Sequence, residues 1–202
     1  MLAARHLRSH YERVNHVLHT DRLMLTPFDE SDVDICIELF TNPEVVRYAG
    51  KVMAEDDIRS EFPKWIRRGG TGGVGMWCAK DKQTGEKLGT GALLPMPVEE
   101  KDTDFDLLVP GRMPDADIEI GYFLKPSAWG QGLATEISRR LLRFAFEETP
   151  LTEIVASFDP ENEASRIVLI KSGFVDCGTR RCYGEDSPDY RIQRDDWLDV
   201  AG

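Results

Sequence analysis

The chain has 202 residues, 41% hydrophobic and 30% charged, with a formal net charge of −11. That length fits one domain with a sizeable core, and an ordinary globular composition with no apolar run of about 18 residues leaves no sign of a membrane span. The acidity argues against nucleic acid as the main partner, because phosphate backbones are bound by basic patches; it is compatible with a cationic amine, though simple solubility is the plainer reading. The N-terminus carries no apolar signal stretch, so a cytoplasmic location is expected, with Cys36, Cys78, Cys177 and Cys182 as reduced thiols. A Cys177–Cys182 disulfide across a hairpin is the alternative.

Residues 1–19 place Leu7, Tyr11, Val14 and Leu18 on one helical face, so a helical extension is expected, packed on the domain or on a second subunit; monomer and homodimer both stay open. This extension holds His6, His10, His16 and His19. His6 and His10 have a metal-compatible i, i+4 spacing, but no carboxylate or cysteine cluster completes a site, and no metal is expected. Leu23 to Pro27 reads as a strand, and Glu30 to Phe40 and Ala54 to Arg68 as helices, the first with Ser31 as cap and Ile35, Leu39 and Phe40 as its apolar stripe. The run from Gly69 to Gly75 leads from a helix into a strand, so no helix N-terminus is there to receive an anion; it reads as a flexible connector. Strands at Met76 to Lys80 and Leu88 to Leu94 flank the turn cluster Asp81 to Gly85, which predicts a hairpin. The irregular acidic segment between Pro95 and Asp115 is either a border of an acceptor pocket or a solvated excursion.

Residues 117 to 136 carry the strongest signal. Ile118, Ile120 and Tyr122 alternate with Glu119 and Phe123 along a strand, and Pro126 and a turn holding Gly130 and Gly132 lead directly into an amphipathic helix. A helix N-terminus offers amides without intrahelical partners and the positive end of the dipole, and glycines let a phosphate approach. A nucleotide P-loop and a dinucleotide fingerprint both fail on spacing: Leu133 and Ala134 follow Gly132 where Lys-Ser/Thr is needed, and a third glycine is missing. Downstream, Thr152 to Phe158 reads as a buried strand, Asn162 to Ser165 as the entry to a short helix, and Lys171 to Phe174 as its end. Phe174 to Thr179 and Asp189 to Gln193 would close the sheet as a hairpin, with Trp197 packing near the end.

The order strand, W-G-x-G-x-A-T-E helix, strand, N-x-A-S helix and K-x-G-F resembles the GNAT superfamily of acetyl-CoA-dependent N-acetyltransferases. Within it, Thr20 to Pro27 and Asn42 to Val45 are similar to the branch of Rim-type enzymes that acetylate ribosomal-protein N-termini. The likeness spans residues 20 to 198, with Trp129 in the first position of the Q/R-x-x-G-x-G/A signature, as is common in that branch. It implies an α+β fold: a mixed, mostly antiparallel sheet of about seven strands between helices, splayed where CoA enters. It further implies acetyl-CoA as co-substrate and an amine acceptor, either a protein N-terminus or a small molecule.

The resemblance also implies site residues. Backbone amides of Gly130, Gln131, Gly132, Leu133, Ala134 and Thr135 would hold the pyrophosphate. The strand Ile120, Gly121, Tyr122, Phe123 would bond the pantetheine arm, with an N–H near Gly121 or Tyr122 polarising the thioester carbonyl. Asn162 would contact the pantetheine and the Ser165 hydroxyl would lie near the sulfur as proton donor; helix capping is the other role open to Ser165. Glu119 is the candidate base, since partial burial in an apolar strand raises a carboxyl pKa; a solvent-facing glutamate is its alternative. Tyr183 is a second candidate acid, and Arg139, Arg140 and Arg166 are candidates for the 3′-phosphate. No covalent nucleophile is needed for this chemistry. A catalytically silent acyl-CoA-binding or regulatory module is the competing class, since a fold can outlive its activity.

Overall fold

The computed structural model describes residues 16–201, so His6, His10 and most of the expected helical extension lie outside the described residues. Where that extension is described it is extended, not helical: Leu18–His19 forms β1, antiparallel to β2 (Leu23–Pro27), with Leu18 opposite Leu25. The remaining strands are β3 (Gly75–Asp81), β4 (Lys87–Pro95), β5 (Ile118–Leu124), β6 (Glu153–Ala156), β7 (Val175–Cys182) and β8 (Glu185–Gln193). They form one eight-stranded sheet in the order β1-β2-β3-β4-β5-β6-β8-β7. Only β5 and β6 run parallel. The strand beyond the expected seven is β1, whose two residues are too few to show a period-2 pattern.

Alternation along the strands sorts the two faces. Met76, Cys78 and Ala92 pack with Ile35, Leu39, Ile58 and Phe62 of α1 (Val33–Phe40) and α2 (Glu55–Trp65). Trp77, Ala79, Ile118, Ile120 and Leu124 pack on the opposite face, with Ile137, Leu141 and Phe144 of α3 (Leu133–Glu148) and with Leu169 of α4 (Glu163–Lys171). α3 lies tight against the sheet: a Cβ at Gly91 would come 2.8 Å from Ile137 and 3.1 Å from Leu141. A final helix, α5 (Arg194–Ala201), brings Trp197 into the core against Phe146, ring centroids 5.8 Å apart.

Several boundaries move for local reasons. A 3-10 turn, Glu30–Asp32, precedes α1, and Asp29 rather than Ser31 caps that turn: its carboxylate accepts the Ser31 N–H at 2.8 Å. α2 stops at Trp65, just past Pro63, short of Arg68. The Gly69-to-Gly75 connector is pinned rather than flexible, because the Arg68 guanidinium bonds the carbonyls of Gly72 (2.8 Å) and Met76 (2.7 Å) while lying 4.0 Å over the Trp77 ring. Burial pushes Arg68 down to about 9. The Trp77 indole donates to the His16 carbonyl at 2.9 Å, and the His16 ring meets the Thr71 carbonyl at 2.8 Å, so the start of the described chain is tied to the same knot. The C-terminal hairpin is longer than expected, with Tyr183 and Gly184 as its two-residue turn. Cys177 and Cys182 both lie on β7, so they cannot bridge a hairpin, and the cysteines are free thiols.

Candidate active site

β5 delivers the chain into the cradle. After it, Pro126–Ala128 forms a 3-10 turn, and the Trp129 indole donates to the Leu124 carbonyl at 2.8 Å, fastening the turn to the strand end. Gly130 and Gly132 then take left-handed φ values of +71° and +77°, which side-chain-bearing residues adopt at a cost, and α3 starts at Leu133. The N–H groups of residues 130–135 find no acceptor among the described residues; the first to do so is Glu136, bonded to the Gly132 carbonyl at 3.1 Å. A Cβ at Gly130 would meet nothing within 4 Å, so the approach is open. Successive free amides at a helix N-terminus fit a diphosphate. The Gln131 side chain takes no part in the opening, since its amide folds back onto the Ser127 carbonyl at 2.8 Å.

The sheet parts beside this turn. β5 and β6 share one register pair, Glu119 with Val155, and separate beyond it. Met96 N–H donates to Asp117 C=O (2.8 Å) and Lys125 N–H to Leu88 C=O (2.9 Å), in continuous register with the β4–β5 ladder. Odd-numbered residues of β5 therefore turn their backbone groups to β4, and even-numbered ones toward the gap. Gly121 and Phe123, expected to bond a pantetheine arm, are engaged by β4. Ile120 serves the Glu119–Val155 bridge to β6, Tyr122 faces the parting, and of the two expected carbonyl-polarising donors only the Tyr122 N–H points there.

Side chains divide the other way. Glu119, Gly121 and Phe123 face α1 and α2, where Phe123 packs against Phe40 at 5.2 Å and Phe40 against Trp65 at 5.4 Å. Above Gly121 the face is open: a Cβ there would find only Ala92, at 3.9 Å. Glu119 sits at one end of this opening, partly exposed, and burial pushes its carboxyl up to about 7 against the opposing pull of the Tyr183 hydrogen bond and the Arg180 charge. The Tyr183 hydroxyl donates to Glu119 Oε1. Desolvation and the adjacent carboxylate push the Tyr183 phenol far up, so it remains protonated.

Sequence gave no means of placing Tyr183 there. It occupies the first turn position between β7 and β8 with φ +53°, followed by Gly184 at +72°, a type I′ pattern that usually selects Asn or Gly. The acidic segment holds this turn. Tyr183 N–H donates to the Pro97 carbonyl (3.2 Å), Gly184 N–H to Val98 (2.9 Å), and Arg181 pairs with Glu99 at 2.9 Å. Met96 packs with Val155, Cys182 and Tyr183. The segment thus borders Glu119 through the hairpin tip.

At the far side of the parting, Asn162 Oδ1 accepts the Ser165 N–H at 3.1 Å and is the cap of α4. Ser165 is then free of capping duty. The Tyr122 hydroxyl reaches the Ser165 carbonyl at 3.4 Å, and burial pushes this phenol up to about 12. The arginines expected near a 3′-phosphate have protein partners: Arg139 bonds the Lys171 carbonyl (2.5 Å), Arg140 pairs with Glu148 (3.3 Å) and Arg166 with Glu163 (2.5 Å).

Comparison with known proteins identifies the family. Residues 22–175 match the family model described as an acetyltransferase (GNAT) domain. An uncharacterised protein, YkkB, of Bacillus subtilis is 32% identical over 158 residues, covering 77% of this chain and 83% of that protein. The FsC-acetyl coenzyme A-N(2)-transacetylase of Aspergillus fumigatus is 30% identical over 193 residues, covering 90% of this chain and 77% of that protein. Among solved structures, the spermidine N-acetyltransferase of Vibrio cholerae in complex with CoA and spermine superposes with a TM-score of 0.66 at 18% identity, covering 88% of this chain and 98% of that one. The fold, the open amide cradle and these matches lead to one conclusion: the chain belongs to the GNAT family of N-acetyltransferases, acyltransferases whose co-substrate is acetyl-CoA.

Proposed function

We propose that this acetyltransferase moves the acetyl group to a primary amine by direct attack, with Glu119 as general base and Ser165 as proton donor. Acetyl-CoA supplies an acetyl group activated as a thioester. The observation that carries the proposal is Glu119 itself: a carboxyl held near neutrality, beside the opening over Gly121, at the one point where β5 and β6 still pair. A base with a pKa near the working pH is deprotonated often enough to act and basic enough to take an ammonium proton. The Tyr122 N–H faces the parting and would stabilise charge developing on the thioester oxygen. Ser165, whose helix is already capped by Asn162, would relay a proton to the departing sulfur, replacing its own from the attacking nitrogen, which sheds its second proton as the intermediate collapses. Asn162 spends Oδ1 on the cap and keeps its NH2 for the pantetheine.

A cysteine nucleophile is not part of this chemistry. Cys36 and Cys78 are buried, and desolvation pushes the Cys78 thiol up to about 12, far from reactive thiolate. The acceptor best suited to the site is a small cationic amine. The segment that borders Glu119 carries Glu99, Glu100, Asp102, Asp104 and Asp106, and among the described residues Glu100 and Asp102 form no ion pair. The transacetylase relative is named for transfer to an N(2) nitrogen, and the matching spermidine acetyltransferase structure holds spermine, a small cationic amine. A protein N-terminus, the acceptor in the Rim-type branch, is the second arm of the test. Thiol release from acetyl-CoA is measured against a panel of polyamines, amino acids, aminoglycosides and peptides. Amine-dependent release supports the proposal and its strongest acceptor names the class. CoA binding without release from any acceptor favours a silent binding module, and failure to bind CoA removes both.

A further inference from the structure

The turn that offers its amides carries a second interaction that the cradle alone does not explain. Arg22, in the link between β1 and β2, reaches across to it: Nη1 donates to the Gln131 carbonyl at 2.9 Å, while Nε bonds Glu136 Oε2 at 2.7 Å and Nη2 pairs with the same oxygen at 2.6 Å. The Arg22 backbone N–H also bonds Glu136 Oε1 at 2.9 Å, and the Thr20 hydroxyl donates to that oxygen. Glu136 lies in the first turn of α3, largely shielded, and its partners in the β1–β2 link hold its carboxyl below the usual range despite opposing desolvation.

Two physical consequences follow. The Gln131 carbonyl and the Gly132 N–H belong to one trans peptide plane and point in opposite directions. Holding that carbonyl toward Arg22 therefore aims the Gly132 N–H away from it, and Gly132, at φ +77°, lets the chain enter α3 from this orientation. Second, Glu136 is an anion beside amides that receive a diphosphate. Such a carboxylate suits the helix dipole but repels an anionic ligand, unless a cation neutralises it. The guanidinium does so, and a Cβ at Gly132 would lie 3.8 Å from its Nη2, at the rim of the cradle.

We infer that Arg22 is a positioning residue for the CoA diphosphate: it fixes the peptide plane of Gln131–Gly132 and masks the Glu136 charge. This rests on assigning residues 130–135 as the diphosphate cradle.

The test uses the full chain with CoA and with S-acetylpantetheine, which has the thioester arm but no diphosphate. In Arg22→Met, calorimetric CoA affinity should fall about tenfold. kcat/KM for S-acetylpantetheine should stay within about twofold, because a ligand without the diphosphate does not feel the cradle. Adding Glu136→Gln to Arg22→Met should recover part of the CoA affinity, since the unmasked charge is gone. Thermal melting accompanies each variant; should Arg22→Met not fold, Arg22→Lys, which keeps a charge but loses the planar fork, takes its place with a smaller loss in the same direction. Equal losses for both ligands, or unchanged CoA affinity in a folded Arg22 variant, would overturn the inference while leaving the cradle in place. Absence of CoA binding by wild type would overturn the cradle assignment and the inference with it.

Discussion

The Tyr183 hydroxyl donates a hydrogen bond to the Glu119 carboxylate across 64 residues of sequence, from a turn position whose φ of +53° suits glycine or asparagine. A left-handed non-glycine residue costs roughly 1–2 kcal/mol. Backbone bonds from Tyr183 and Gly184 to Pro97 and Val98 hold it there. The strained turn thus places a neutral donor on a carboxyl that burial drives toward neutrality.

That hydrogen bond favours the ionised carboxylate, so removing it should raise the Glu119 pKa further. Tyr183→Phe is expected to move the ascending limb of the kcat/KM–pH profile upward by about half to one unit, centred near 7 in the wild type. An unmoved limb would separate Tyr183 from the proton chemistry.

Glu119 should also mark the stability of the fold. Its folded pKa, about 7, lies above the ordinary glutamate value of 4.5, so the folded state holds the proton more tightly than the unfolded chain. Stability from this group is intact below 4.5, is lost as pH rises through that window, and levels off above about 7. Glu119→Gln, which cannot ionise, should therefore match wild type at pH 4 and exceed it at pH 8 by about 1–2 kcal/mol, below the full shift because the side chain is partly exposed. Denaturant midpoints at the two pH values read this directly; a variant less stable at pH 8 would contradict it.

Gly132→Ala tests the cradle. A methyl group at φ +77° strains the turn by about 1 kcal/mol and narrows the approach to the amides. CoA affinity is expected to fall about tenfold with the amine KM within about twofold. Equal CoA affinity in calorimetry would move the diphosphate elsewhere.

Ser165→Ala separates a proton donor from a helix residue. Because Asn162 makes the cap, the alanine variant should melt within a degree or so of wild type. Its kcat is expected to drop about 10- to 100-fold at unchanged CoA affinity. A normal kcat would transfer the role to the Tyr122 phenol, 3.4 Å from the Ser165 carbonyl, and Tyr122→Phe would then show the loss.

Much of this was legible in the chain. The alternation of Ile118, Ile120 and Tyr122 against Glu119 and Phe123 gave the two faces of β5, and Gly130 and Gly132 before an amphipathic run gave the turn and α3, because periodicity and left-handed glycine are local properties. Which backbone groups face the parting was not legible, since it depends on the register with β4; that register engages Gly121 and Phe123 and frees Tyr122. The Tyr183–Glu119 and Arg22–Gln131 contacts are long-range and leave no periodic trace. The strand at β1 leaves no signature, because Leu18 fits a helical stripe as well as a two-residue strand.

The central claim is that Glu119 is the base for an amine-dependent acetyl transfer. The direct measurement is thiol release from saturating acetyl-CoA at pH 7.5 (about half a unit above the Glu119 value) by wild type and Glu119→Gln, with the best amine of the panel and CoA affinity measured alongside. The account predicts amine-dependent release in the wild type, a fall of about 10²-fold or more in the variant, and CoA affinity unchanged within about twofold. Release that is equal in both proteins would contradict it.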